Sequence, residues 1–298
     1  MTKTDLVQFA ASVGIDEIGV SRAESLLGLQ NFPMSPQEKD ICPFAESDPE
    51  KRRNPFLLLP GARSIITCLF PYYSSKIRPQ NVSRYASVKD YHKIAKSKLQ
   101  QLADYINAQT GNSCVCCCDT SPLSDRYLAY CAGLGFYGKN HMLINRRYGS
   151  YFFIGSVIST VELETDIPIT ETCMGCGKCM RACPGGALSA GGFQYQNCVS
   201  YLTQAKELTY EQTRLLQNQE KIYGCDVCQE VCPHNNDLPD TAMKDFLDHP
   251  IENLPESDVL MLSNREFQKK YGEYPFAWRG RKMLARNLQK KLLDKNRV

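Results

Sequence analysis

Apolar residues fall at helical spacing in the opening segment. Leu6, Phe9, Ala10 and Val13 share one face, Thr4 can cap the start and Gly14 can end it. Short apolar runs at 18–20 (IGV) and 64–70 (SIITCLF) predict buried strands. The run 150–160 (SYFFIGSVIST), rich in aromatic and β-branched residues, predicts a central strand. Ile94, Lys98, Leu99, Leu102 and Ile106 outline a helix with one solvated side, ending near Gly111. Residues 114–118 (CVCCC) make a short apolar run that leads into Asp119. Ser121-Pro122 reads as an N-cap followed by a first-turn proline, so a helix is expected from Pro122, with Leu123, Tyr127, Tyr130 and Cys131 on its face. Residues 28–62, rich in proline and charge, predict loops. Helices and strands alternate irregularly, which predicts an α+β fold with an α/β core over 1–165. After Thr165 the texture turns to Cys, Gly and Pro, and a domain boundary is expected there.

Composition narrows the class. With 43% hydrophobic and 22% charged residues among 298, the chain is ordinary globular protein, not a disordered or collagen-like one. No stretch approaches the roughly 18 apolar residues of a membrane span. Asp5 stands where a signal peptide would carry its apolar core, and no twin-arginine pair follows in the opening segment, so a cytoplasmic protein without a membrane partner is expected. The net charge of +3 hides a split. Residues 265–298 hold eleven basic against three acidic residues, a local +8, and the preceding 264 residues carry −5. Such a split points to a polyanionic partner at one end. Fifteen cysteines in a reducing compartment point to metal or redox chemistry.

Eight of those cysteines are spaced for it. Cys173, Cys176, Cys179 and Cys183-Pro184 form C-x2-C-x2-C-x3-C-P, the run with which bacterial ferredoxins hold a 4Fe–4S cluster. A stretched second set follows: Cys198, then Cys225, Cys228 and Cys232-Pro233. In two-cluster ferredoxins the fourth cysteine of each run ligates the other cluster. Cys173, Cys176, Cys179 and Cys232 are therefore assigned to one cluster, and Cys198, Cys225, Cys228 and Cys183 to the second. Zinc favours paired C-x2-C units over two C-x3-C-P endings, and the compartment disfavours disulfides. Two clusters in one small domain imply one-electron transfer. Cys114, Cys116, Cys117, Cys118, Cys42, Cys68 and Cys131 lack such spacing and read as small apolar packing residues.

Gly133-Leu134-Gly135-Phe136-Tyr137-Gly138 matches G-x-G-x-x-G, but a dinucleotide site needs a strand before it and a helix after it. Here a helix precedes and a strand-like segment follows. The glycines are read instead as a turn that lets backbone pass close to something large and flat, with Lys139, Asn140 and His141 beyond it.

At this point the chain resembles the epoxyqueuosine reductase family. The resemblance rests on 119–155 (DTSPLSDRYLAYCAGLGFYGKNHMLINRRYGSYFFIG) joined to the double cluster motif and to 223–235 (YGCDVCQEVCPHN). Residues 83–92 (SRYASVKDYH) and 278–287 (WRGRKMLARN) fit as well. It implies a cobalamin-binding, nitroreductase-like catalytic domain over 1–165, a ferredoxin-like two-cluster domain over 166–240 and a short basic segment over 241–298. It implies two 4Fe–4S clusters and cobalamin as cofactors, with electrons bringing cobalt to a nucleophilic state that opens the epoxide of epoxyqueuosine and leaves queuosine. The substrate would be tRNA with a GUN anticodon, the electron source an unidentified low-potential donor, and the protein a monomer. Asp119 matches the family's proton donor. Arg52, Ser83, Asp119, Ser124, Arg126, Leu143, Ile154, Val157 and Ser200 match cobalamin contacts, and Lys206 a tRNA contact. Longer members continue into a helical-repeat domain, so the basic tail is expected to carry more of the tRNA contact here. Its aromatics Phe267, Tyr271, Tyr274, Phe276 and Trp278 either stack on bases or pack as a core. A reductive dehalogenase-like enzyme or a non-catalytic iron–sulfur electron carrier are the alternatives. The first lacks its export leader here, and the second leaves Asp119 without a task.

Overall fold

The apolar runs pair into a four-stranded sheet in the computed structural model, which describes residues 1–32, 41–190 and 192–295. In chain order come α1 (Lys3–Ser12), β1 (Glu17–Arg22), α2 (Pro49–Arg53) and β2 (Ser64–Pro71). Next are α3 (Arg84–Ser87), α4 (Tyr91–Thr110), β3 (Cys114–Cys117) and α5 (Asp125–Cys131). A small hairpin of β4 (Phe136–Tyr137) and β5 (Leu143–Ile144) leads to β6 (Phe152–Ser159). The sheet order is β1-β2-β6-β3, and every neighbouring pair is antiparallel. Antiparallel pairing needs no crossover helix between strands, and it settles the class as α+β.

The chain divides into two units, one of Met1–Pro71 with His92–Cys176 and one of Tyr72–Tyr91 with Gly177–Val298. In the first, both faces of the sheet are covered. Leu99 of α4 lies against Gly155, where an added Cβ would come within 2.7 Å of it. Three residues on in β6, hence on the opposite face, Ile158 packs with Ile65 of β2 and Leu128 of α5. Sandwiching explains why all eight residues of β2 are buried and why β2 reads as a continuous apolar run.

Two helix starts differ from expectation. Thr2, not Thr4, caps α1, because its side chain accepts from the Asp5 N–H while the Asp5 carboxylate accepts from the Thr2 N–H at 2.7 Å. Helix α5 begins at Asp125, not Pro122, and Ser121 caps nothing. Long-range bonds hold the intervening turn away from helical geometry: the Ser124 N–H reaches the Arg52 carbonyl at 3.2 Å. Of the segment 28–62, expected as loops, residues 33–40 lie outside the described residues, and α2 with two 3-10 turns interrupts the rest.

The second unit is built from short helices. They are α6 (Lys178–Ala182), α7 (Val199–Leu202), α8 (Tyr210–Gln217), α9 (Val227–Glu230), α10 (Lys244–Leu247), α11 (Glu256–Met261), α12 (Asn264–Tyr271) and α13 (Arg281–Lys295). Two-residue strands β7 (Leu188–Ser189) and β8 (Gly192–Phe193) sit between α6 and α7. Its core joins Val82 and Ala86, from the 72–91 segment, to Tyr223, Phe267, Phe276 and Leu284. Here the question of the tail aromatics is decided. Phe267, Tyr271, Tyr274 and Phe276 are buried and contact one another ring to ring. Of the five, Trp278 alone is exposed, and its Nε1–H donates to the Tyr223 hydroxyl at 2.8 Å. Several tail cations are likewise structural. Arg281 donates to the carbonyls of Val259 and Leu260 at the end of α11, and Arg286 to those of Leu202, Ala205 and Lys206 after α7. Among the described residues no helix is long and apolar enough to cross a membrane.

Candidate active site

Strand β3 delivers the chain to the site. Its last pairing is Cys117 with Ser156 of β6, after which Cys118 leaves the sheet with its thiol against the Ile154 carbonyl at 3.7 Å. Asp119 follows at φ 52°, in the left-handed region that Asp and Asn tolerate better than other side chains. That turn pushes the Asp119 side chain outward, 60% exposed, with Oδ2 at 3.2 Å from Nε2 of His92 in the first turn of α4.

Beneath the turn lies a second carboxylate. The Asp119 N–H donates to Oδ2 of Asp125 at 3.1 Å, while Oδ1 of Asp125 is buried with no hydrogen-bond partner. Burial, followed by the nearby Asp119 charge, pushes the Asp125 carboxyl up to about 7, and the Asp119 N–H, Arg126 and His92 oppose that rise. The helix expected from Pro122 does not reach the turn. The nearest helix starts later, and the group under Asp119 is an acid. His92 and Asp125 were missed as partners. The signal in the sequence was only that both lie within the stretches DYH and SDR that carry the resemblance.

Arg52 and Arg126 stand near each other at the same end of the first unit. Burial holds the Arg52 pKa below its ordinary value, with the Arg126 cation adding to it and Tyr137 and Glu46 opposing it. Arg52 donates to the Glu46 carbonyl at 3.3 Å and Arg126 to the His141 carbonyl at 2.9 Å. Neither makes an ion pair among the described residues. Two guanidiniums that make no ion pair suit a ligand bearing carbonyl and phosphate oxygens, which is the periphery of cobalamin. Ser124 and Ile154 are partly exposed, whereas Leu143 and Val157 are buried, Val157 completely. Ser83 and Ser200 belong to the second unit. Ser83 is fully buried under Gly224, and Ser200 lies beside the Tyr85 hydroxyl, whose pKa burial raises to about 12. Lys206 is exposed, and its carbonyl accepts from Arg286 at 3.2 Å.

The glycine motif does serve close backbone approach, but toward the protein itself. A Cβ at Gly133 would come within 2.6 Å of the Ile167 carbonyl oxygen, and one at Gly135 within 2.5 Å of that of Ile144. Helix α5 precedes the motif and the hairpin follows, so no dinucleotide geometry forms.

No disulfide joins any of the fifteen cysteines. In the second unit Cys179, Cys183, Cys198 and Cys225 all lie near enough to Cys228 to raise its thiol further, after burial. Burial lifts Cys225 to about 11, and the Val227 N–H opposes it. The Ala187 N–H donates to the Cys183 sulfur at 3.3 Å. Neighbouring sulfurs, with burial raising the Cys225 and Cys228 thiols and backbone N–H bonds reaching Cys183 and Cys225, suit ligation by an iron cluster, whose cationic core would supply the missing positive charge. Cys232 is buried in the same unit, while Cys173 is half-buried and Cys176 exposed in the first.

Residues 52–120 match the family model described as "Epoxyqueuosine reductase QueG, DUF1730", and residues 172–235 match that of a 4Fe-4S double cluster binding domain. The epoxyqueuosine reductase of Bacillus subtilis (strain 168) is 37% identical over 307 residues, covering 96% of this chain and 77% of the relative. A crystal structure of epoxyqueuosine reductase with a tRNA-Tyr epoxyqueuosine-modified stem loop superposes with a TM-score of 0.86 at 35% identity, over 97% of this chain and 80% of that one. A Bacillus subtilis epoxyqueuosine reductase structure, solved with its catalytic aspartate loop swung out of the active site, gives a TM-score of 0.80 at 34% identity over the same shares.

Proposed function

The chain belongs to the epoxyqueuosine reductase family, and we propose that it reduces the epoxide of epoxyqueuosine in tRNA to the alkene of queuosine, with Asp119 as proton donor. The reaction breaks both C–O bonds, forms C=C, consumes two electrons and two protons, and releases water. Electrons enter from a low-potential donor through the two clusters of the 172–235 domain. Cobalamin, when bound, supplies a cobalt centre that can be reduced to a strong nucleophile. Arg52, Ser124, Arg126 and Ile154 have surface with which to hold it. Leu143 and Val157 are buried and reach it only if their covering neighbours shift.

The observation that carries this reading is the His92–Asp119 pair, an exposed carboxyl on a left-handed turn with an imidazole at 3.2 Å. Substrate seated over the turn would strip water from Asp119 and favour its protonated form, the state that can donate to a departing oxygen. His92 stands in position to restore that proton. The relative solved with its aspartate loop swung out supports a turn that moves in and out of the site, and the one solved with an epoxyqueuosine-modified tRNA stem loop supports tRNA as substrate. We assign 1–165 to catalysis, 166–240 to the clusters and 241–298 with Lys206 to tRNA with a GUN anticodon. The protein acts as a cytoplasmic monomer.

The test is anaerobic reconstitution with iron, sulfide and cobalamin, followed by incubation with epoxyqueuosine-bearing tRNA and a chemical reductant. Nucleoside mass spectrometry should show product lighter by one oxygen atom. No conversion by protein carrying both clusters and cobalamin would overturn the reading and leave an electron carrier.

A further inference from the structure

We propose that Asp125 is a positioning residue, whose carboxylate latches the backbone of Asp119 into the left-handed turn that presents the proton-donating side chain. This rests on the reading of Asp119 as donor. The latch is one main-chain bond: the Asp119 N–H donates to Asp125 Oδ2 at 3.1 Å while Asp119 sits at φ 52°. Left-handed backbone at a residue other than glycine persists only where surrounding bonds hold it. The second oxygen of Asp125 is buried and satisfies no other group. A carboxylate with one oxygen shut away from water is a poor packing residue, since an apolar side chain would fill the space without a stranded acceptor. Its polar task is the amide above it.

The charges around Asp125 make the latch adjustable. Asp119 faces it from the turn, His92 from α4, Arg126 from its own helix and Cys117 from β3. Burial and Asp119 raise its carboxyl to about 7. An ionised oxygen is the stronger acceptor, so the latch holds tightest above that value and slackens as pH falls through it. Asp119 needs its proton, so its own demand runs the other way, against high pH. The two carboxylates thus divide the work, one holding the turn and one donating.

Asp125→Ala and Asp125→Asn, as cluster- and cobalamin-loaded protein, test this together with hydrogen exchange by mass spectrometry across peptides spanning 117–123. For Asp125→Ala we expect the Asp119 amide to exchange about tenfold faster or more, since its acceptor is gone. We expect kcat to fall about tenfold with the KM for tRNA and the iron and cobalamin contents unchanged, the signature of a lost arrangement rather than lost binding. Asp125→Asn keeps an acceptor oxygen that does not titrate, so the acidic limb of the wild-type rate profile near neutral pH should vanish. Unchanged Asp119 exchange in Asp125→Ala overturns the latch. So does a rate loss that comes with lost cobalamin. Faster exchange with Asp119→Asn still fully active would uphold the latch and overturn Asp119 as donor.

Discussion

Replacing Asp119 by Asn separates proton donation from architecture. At φ 52° most side chains would add roughly 1–2 kcal/mol of backbone strain, but Asn tolerates the region as Asp does. The bond to Asp125 comes from the main chain and survives, and an amide oxygen can still meet His92. Because the side chain is mostly exposed, folding stability should change by no more than about 0.5 kcal/mol. The acidic proton is what disappears. General acid catalysis contributes roughly 100- to 10,000-fold, and at about 1.36 kcal/mol per tenfold this is ~2.7–5.4 kcal/mol on the barrier. Single-turnover conversion of epoxyqueuosine tRNA, measured on protein with full iron and cobalamin, should therefore slow at least ~100-fold at unchanged Tm and unchanged tRNA affinity. Asp119→Ala should be slower still and also lose stability, since it adds the strain that Asn avoids. Turnover by Asp119→Asn within a few-fold of wild type would refute the reasoning, because another group would then be the donor.

Other outcomes follow from the same geometry. Cys176→Ser should lose one cluster, with iron falling from about eight to about four per chain, and most turnover, because a one-electron relay fails at its missing link; stoichiometric zinc in the wild type would contradict the assignment. Arg265→Gln, Lys269→Gln and Lys282→Gln, all exposed, should weaken tRNA binding and flatten its salt dependence by about 0.7 in log–log slope per lost phosphate contact, without moving Tm. Arg286→Ala should instead lower Tm, since it strands the carbonyls of Leu202 and Ala205. Gly224→Ala should destabilise by about 2–5 kcal/mol, read as a lower Tm, because at φ 74° its Cβ would sit 2.1 Å from the Ser83 hydroxyl oxygen.

What the sequence disclosed was mostly local. The strands at 18–20, 64–70 and 150–160 were legible because their sheet is covered on both faces, which leaves unbroken apolar runs. The double cluster motif was legible because its cysteines fall in tight C-x2-C and C-x3-C-P runs, even though each run lends its last ligand to the other cluster. The start of α5 was not, since Ser124 and Asp119 answer to Arg52 and Asp125 and the proline signal at Pro122 is overridden. Asp119 could be found but its surroundings could not: His92 lies 27 residues upstream, and no periodicity links them. The +8 tail misled in part, because charge counts do not say which guanidiniums are already bonded to carbonyls. Arg281 and Arg286 are.

The core of the second unit is stitched from chain segments synthesised far apart. Val82 and Ala86 must wait for Tyr223, Phe267 and Leu284. Roughly 200 residues separate the first of these from the last, about 10–40 s at ~5–20 residues per second. During that interval the 72–91 segment leaves the ribosome with its apolar side uncovered, while the strands around it can already pair. Every nascent chain therefore exposes one short, sticky insertion, for longer the more slowly it is elongated. Holding chaperones near the ribosome, or slowing translation between the two segments, should act on yield through that stretch before anything else.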